Sequence, residues 1–161
     1  MANHGYMSIS GAVQGLISAG CSTTASIGNK CQDGHRDEIM VLSFQHNMAN
    51  RGNLRGPAHG PVVITKNIDK SSPLLAVALA NREELDCLIH FYRTSSFGQQ
   101  EKYYTVDIRG CIVADLILDV PYALLQNDMD AQEHVALRYR EILWTHHPAG
   151  TSGYAAWDVA Q

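Results

Sequence analysis

The chain reads as a mainly β protein, a compact β-barrel or sandwich of about seven strands with one short α-helix packed outside. Three observations predict this. Apolar and polar side chains alternate in strand-length runs along most of the 161 residues. Turn-forming Gly, Pro, Asn and Ser separate these runs at intervals. One segment alone, residues 71–81, has helical character. No internal repeat or linker interrupts the pattern, so residues 1–161 are expected to form a single domain.

The elements follow in order. Residues 6–10 alternate as a half-buried strand should, and Gly11 and Gly15 interrupt them. Residues 19–36 are rich in Gly, Ser, Thr and Asn and form a long loop. Residues 37–49 are the second strand and 61–67 the third. Residues 51–60 between them hold three glycines and a proline, a second exposed loop. The helix follows, with Ser72 as its N-cap and Pro73 at its first position. Leu75, Ala78 and Leu79 share a stripe expected to pack on the sheet. Residues 85–92 and 102–109 pair through the turn at 95–100 as a hairpin. Gly110 marks a bulge or sharp bend before the strand continues from Cys111 to Val120. A polar loop covers 122–133. Residues 135–146 are the last strand, with Val135, Leu137, Tyr139, Glu141 and Leu143 on one side. A small, polar tail ends near Trp157.

Composition narrows the function. Charged residues are 17% of the chain, against a typical ~25%, as expected where surfaces are buried against partners. The net charge is -4 and no basic stripe is present, which argues against a nucleic-acid partner. The N-terminus has no signal-peptide pattern, and no run is long enough to insert in a membrane. The chain is therefore expected to be made in the cytoplasm and, if exported, to leave by a route that reads the folded protein. Of the four cysteines, Cys87 and Cys111 sit in apolar strands as buried thiols. Cys21 and Cys31 flank a polar loop, where they stay reduced or pair after export.

Catalytic signatures are missing. There is no G-x-S-x-G elbow, no P-loop and no H-E-x-x-H. His146 and His147 are adjacent in a strand and point to opposite faces, so they do not share a metal. Asp107, Asp115, Asp119 and Glu141 read as solvated or ion-paired carboxylates. The chain is expected to be no enzyme and to hold no metal or cofactor. A small ligand- or carbohydrate-binding β-sandwich is the alternative, with Trp144, Trp157 and the tyrosines lining a groove.

Four stretches together resemble the Hcp (haemolysin-coregulated protein) family. The most recognisable is Val63-Ile64-Thr65-Lys66-Asn67-Ile68-Asp69-Lys70-Ser71-Ser72-Pro73. Gly34-His35-Arg36-Asp37-Glu38, Gln100-Glu101-Lys102-Tyr103-Tyr104 and Ala136-Leu137-Arg138-Tyr139-Arg140-Glu141 agree in order. Residues 150–154 look like the tail of the enterobacterial form. The resemblance implies a β-barrel with one helix, and a homohexamer whose rings stack into the inner tube of a type VI secretion system. It further implies partners: the contractile sheath, the tube-tip spike protein, and effector proteins carried in the lumen.

The resemblance carries surfaces rather than catalytic residues. It places residues 48–60, with Arg51, Asn53, Arg55 and His59, as the loop that reaches the next ring. That loop is either a connector or a stacking element, with Asp128, Asp130 or Glu133 answering its arginines. Lys66, Asp69 and Lys70 fall at the charged strand-to-helix corner, as ring or corner contacts. Arg138 and Arg140 share one face of the last strand, either solvated or turned toward a lumen or a neighbouring subunit.

Overall fold

A computed structural model describes residues 5–32, 34–52 and 55–157. The strands are β1 (Gly5–Gly11), β2 (Gly15–Leu16), β3 (Ile39–Gln45), β4 (Met48–Ala49), β5 (Ala58–His59), β6 (Val62–Asn67), β7 (Leu85–Thr94), β8 (Gln100–Asp119), β9 (Gln132–Arg138), β10 (Glu141–His146) and β11 (Thr151–Ala156). The helices are α1 (Thr24–Ile27) and α2 (Ser72–Asn81), and a 3-10 turn covers Gly28–Lys30.

Six strands close on themselves. β8, β7, β1, β3, β6 and β9 pair in that order, and β9 pairs back onto β8. Every pairing is antiparallel, so each strand turns one row of side chains inward. That row is the core: Met7, Ile9, Ile39, Ile64, Ile89, Ile108, Val135 and Leu137 are fully buried. Closure pairs most of the barrel wall on both sides, which limits the hazard of exposed ladder groups.

The closing hairpin is longer than the barrel. Asp119 opposes Gln132 and Ile112 opposes Arg138. The same edge of β8 continues with Arg109 opposite Glu141 and Tyr104 opposite His146. The inward row shifts at the middle of both strands. In β8 it runs Val106, Ile108 and then Cys111, Val113. On the partner it runs Val135, Leu137, Tyr139 and then Ile142. The bend lies at Gly110, whose φ is +63°. A Cβ there would lie 3.0 Å from the Arg140 side chain, so glycine suits both the backbone and the space. The sharp bend expected at Gly110 is present. The single strand expected over 135–146 is instead β9 and β10, and Ile142 rather than Leu143 enters the core.

The tail also departs from expectation. Residues 151–156 form β11, paired to β10 from Glu141 opposite Ala156 to His146 opposite Thr151. Short, weakly apolar strands carry little sequence signal, and here the ladder to β10 sets the conformation.

Helix α2 begins close to where its sequence places it. Ser71 rather than Ser72 is the N-cap position. Leu75 and Ala78 are fully buried, whereas Leu79 is 36% exposed. The expected Leu75/Leu79 stripe is thus corrected to Leu75 and Ala78. Arg82 ends the helix in the left-handed region, its N–H bonded to the Leu79 carbonyl. Among the described residues no helix is long and apolar enough to cross a membrane.

Candidate functional site

The strand-to-helix corner is built by parity. Val62, Ile64 and Lys66 all lie on the inward row of β6, so Lys66 is driven into the barrel end with no exposure. Its cross-strand partner is Glu133, on the inward row of β9. The ammonium donates to Glu133 Oε1 at 2.7 Å and lies 3.1 Å from Asp69 Oδ1. Ser72 joins them: its hydroxyl donates to Glu133 and accepts the Asp69 N–H at 2.9 Å. Asp69 accepts the Ser71 N–H at 2.8 Å. One cation and two carboxylates therefore pin the start of α2 to β6 and β9. Lys66 and Asp69 are corner contacts inside the subunit, not a charged outer edge. Lys70 is exposed, with its backbone N–H on Ser26 Oγ at 2.8 Å.

The loop after β3 is anchored at its base. β4 and β5 form a separate two-stranded ladder, Met48 opposite His59 and Ala49 opposite Ala58. Gly60 N–H closes onto the Asn47 carbonyl at 2.8 Å. Beside this ladder, Tyr139 reaches out from the end of the barrel's inward row. Its hydroxyl lies 2.8 Å from His46 Nε2 and 2.6 Å from His59 Nδ1. Trp157 stacks on His59 at 5.6 Å between ring centroids, and Arg138 lies 4.8 Å over the Trp157 ring. Burial holds the His46 imidazole below its ordinary range, helped by His59, and burial lowers His59 as well. Burial pushes the Tyr139 phenol up to about 12.

The expected loop residues are thus divided. His59 is an anchor at the loop base, joined to Arg138 through Trp157. Arg51 and Arg55 are exposed and make no ion pair among the described residues. Asn53 lies outside the described residues. Of the carboxylates expected to answer the arginines, Asp130 pairs with Lys30 and Glu133 is buried on Lys66, which leaves Asp128 exposed. Arg138 is half-buried, and Arg140 is exposed, 3.9 Å from Glu84. His46 was not singled out from the sequence, Glu133 was named only as a partner for the loop arginines, and Trp157 and the tyrosines only as groove residues. The signal for Glu133 was its phase with Val135 and Leu137. His46 and His59 meet only through the fold.

A second surface is apolar. Beyond Cys111, β8 no longer pairs with β7, and no strand covers that edge of residues 112–119 among the described residues. Ile117, Leu118, Val120 and Tyr122 are exposed there, and Leu124 and Leu125 are 80% and 81% exposed. Burying such side chains is worth roughly 1.5–3 kcal/mol each, so a partner has much to gain on this arm.

Of the aromatic residues offered for a ligand groove, the two tryptophans are engaged and Tyr122 and Tyr154 are exposed. Trp144 and Trp157 pack against the core cluster. All four cysteines are free, with Cys21, Cys87 and Cys111 buried. Cys31 contacts Thr24 rather than Cys21. Among the described residues no group of three His, Cys, Asp or Glu is placed to hold a metal ion.

Comparison with known proteins agrees along the whole chain. A family model described as "Type VI secretion system effector, Hcp" matches residues 6–146. The "Major exported protein" of Pseudomonas aeruginosa PAO1 is 44% identical, over 98% of this chain and 96% of that protein. A solved structure titled "Crystal structure of Hcp protein" superposes with a TM-score of 0.91 at 34% identity, covering 98% of this chain and 99% of the other. "Secreted protein Hcp3 from Pseudomonas aeruginosa" gives 0.86 at 42% identity, with 98% and 99% coverage. With the closed barrel, its single long helix and the anchored loop already in place, the chain belongs to the Hcp family of type VI secretion tube proteins.

Proposed function

We propose that six copies of this chain close into a ring through the apolar arm, and that rings stack through the loop between β3 and β6. The assembled tube is exported with its sheath and spike partners and carries effector proteins in its lumen. The role is structural, with no catalytic step. The observation that carries the ring is the arm itself: residues 112–119 pair with β9 on one side and leave the other edge unpaired, and residues 117–125 expose a run of apolar side chains. A stable contact of this kind buries on the order of 1,600 Å² in total. Among the described residues the other bare strand edge of comparable length is that of β11, which lacks such a run of exposed apolar side chains, and an unpaired edge is where another chain adds.

The test is mass in solution. Light scattering at micromolar concentration is expected to give six times the monomer mass. The double variant Leu124→Asp/Leu125→Asp is expected to give the monomer with unchanged far-UV circular dichroism, because both side chains already face water in one chain. A monomeric parent protein overturns the ring. A variant that still forms rings overturns the arm as its interface.

A further inference from the structure

We infer that His46, Tyr139 and His59 form a proton-operated latch that holds the β4–β5 ladder to the barrel at neutral pH and releases it in acid. The inference does not rest on the loop's role in ring stacking. It rests on how many protons the three groups hold together.

The two imidazoles enter from opposite ends of the loop. His46 directly follows β3, just ahead of β4, and His59 lies in β5. Both bond one hydroxyl, at 2.8 and 2.6 Å. Tyr139 has one proton to give and lone pairs to accept with. With both imidazoles neutral, the hydroxyl donates to one ring nitrogen and accepts N–H from the other, and both bonds are made. A first added proton goes to the ring that already donates, and both bonds survive. A second has nowhere favourable to go. The ring that accepted the O–H becomes a donor, the phenol proton loses its acceptor, and two cations flank one oxygen. His59 adds a further cost. Among the described residues its Nε2 is buried without a hydrogen-bond partner, so a cationic His59 presents a buried N–H that none of them accepts.

The surroundings offer little compensation. On β9 the guanidinium of Arg138 lies over Trp157, itself stacked on His59. Arg82 and Arg140 line the cleft beside Tyr139, where the one carboxylate among the described residues, Glu84, lies 3.9 Å from Arg140. From β8 the Cys111 thiol acts on Tyr139. From β10, Trp144 stands against His46, with 6.5 Å between ring centroids. The nearby fixed charges are mostly positive, and burial already holds both imidazoles low. Acid therefore favours the released loop, whose solvated imidazoles take up protons more readily.

Hydrogen exchange on the full-length protein, corrected for intrinsic rates, tests this. Between pH 7 and pH 5, amides of Met48, Ala49, His59 and Gly60 are expected to lose protection by tenfold or more, on the order of one factor of ten per lost 1.4 kcal/mol. Amides of β6 and β9 are expected to keep theirs within about twofold. His46→Gln and His59→Gln, each of which removes the second proton, are expected to abolish the acid response. Protection that is unchanged at pH 5, or lost equally in β6 and β9, overturns the latch, as does either variant retaining the full response. Should a variant not fold, fluorescence of the parent protein decides. Trp157, stacked on His59, is expected to change its emission over the same pH range before any change in far-UV circular dichroism. A flat emission profile to pH 4.5 overturns the latch independently.

Discussion

Replacing Lys66 by Met tests whether the corner ion cluster holds the helix to the barrel. Methionine keeps most of the length and apolar volume of the side chain, so the change is chiefly the loss of charge. At 2.7 Å the Lys66–Glu133 pair is worth about 6 kcal/mol of gross attraction at an effective dielectric of ~20. Desolvation of the buried ammonium offsets several kcal/mol of that. The variant does not return to zero, however. It leaves Glu133 and Asp69, 2% and 8% exposed, facing each other without a cation. Breaking such a cluster from one side costs about 3–5 kcal/mol. Glu133→Gln is the control. It leaves Lys66 its Asp69 contact at 3.1 Å and keeps a carbonyl oxygen for Ser72, so about 1–3 kcal/mol is expected. Urea unfolding of both variants on the Leu124→Asp/Leu125→Asp background keeps assembly out of the measurement. The order Lys66→Met well above Glu133→Gln is expected. A Lys66→Met cost below about 1 kcal/mol would refute the reasoning, since methionine would then be as well accommodated as the buried ammonium.

Three further outcomes are expected. Leu75→Ala is expected to cost about 2–5 kcal/mol in urea melts, against under about 1 kcal/mol for the part-exposed Leu79→Ala, and equal costs would place the helix wrongly. Glu83 accepts N–H bonds from Gln14 at 3.0 Å and Val13 at 3.2 Å, and the Gln14 bonds hold its carboxyl below the usual range. Its stabilisation is therefore present above the unfolded carboxylate range and lost as pH falls through the lowered folded value. Melting curves from pH 7 to pH 3 are expected to show that loss in the parent protein and a weaker one in Glu83→Gln. Deleting residues 51–56 is expected to leave the ring mass unchanged by light scattering and to abolish long tubes in electron micrographs. Tubes of normal length would reduce the loop to a connector.

Much of the barrel was legible in the residues alone. Alternation placed β1, β6, β7 and β8, because a two-residue period is a local property that survives without knowledge of the partner strand. Gly110 was legible as a bend for the same reason, and Pro73 with the run of Leu and Ala marked α2. The motif around Lys66 to Pro73 identified the family, which the matching structures bear out. Other features depended on what each segment meets. The inward row shifts between Tyr139 and Ile142 only because β8 bends opposite them at Gly110, and no local pattern records a partner's bend. β11 has too few apolar residues to declare itself, and its conformation comes from the β10 ladder. Lys66 looks like a surface charge until its phase with Val62 and Ile64 is followed into a closed wall, where Glu133 from a strand 67 residues away neutralises it. His46 and His59 flank a loop in the chain, yet the hydroxyl that joins them arrives from just past β9, 93 and 80 residues further on. Periodicity sets which side of a strand is apolar, whereas closure of the barrel decides which distant polar groups share its interior and its ends.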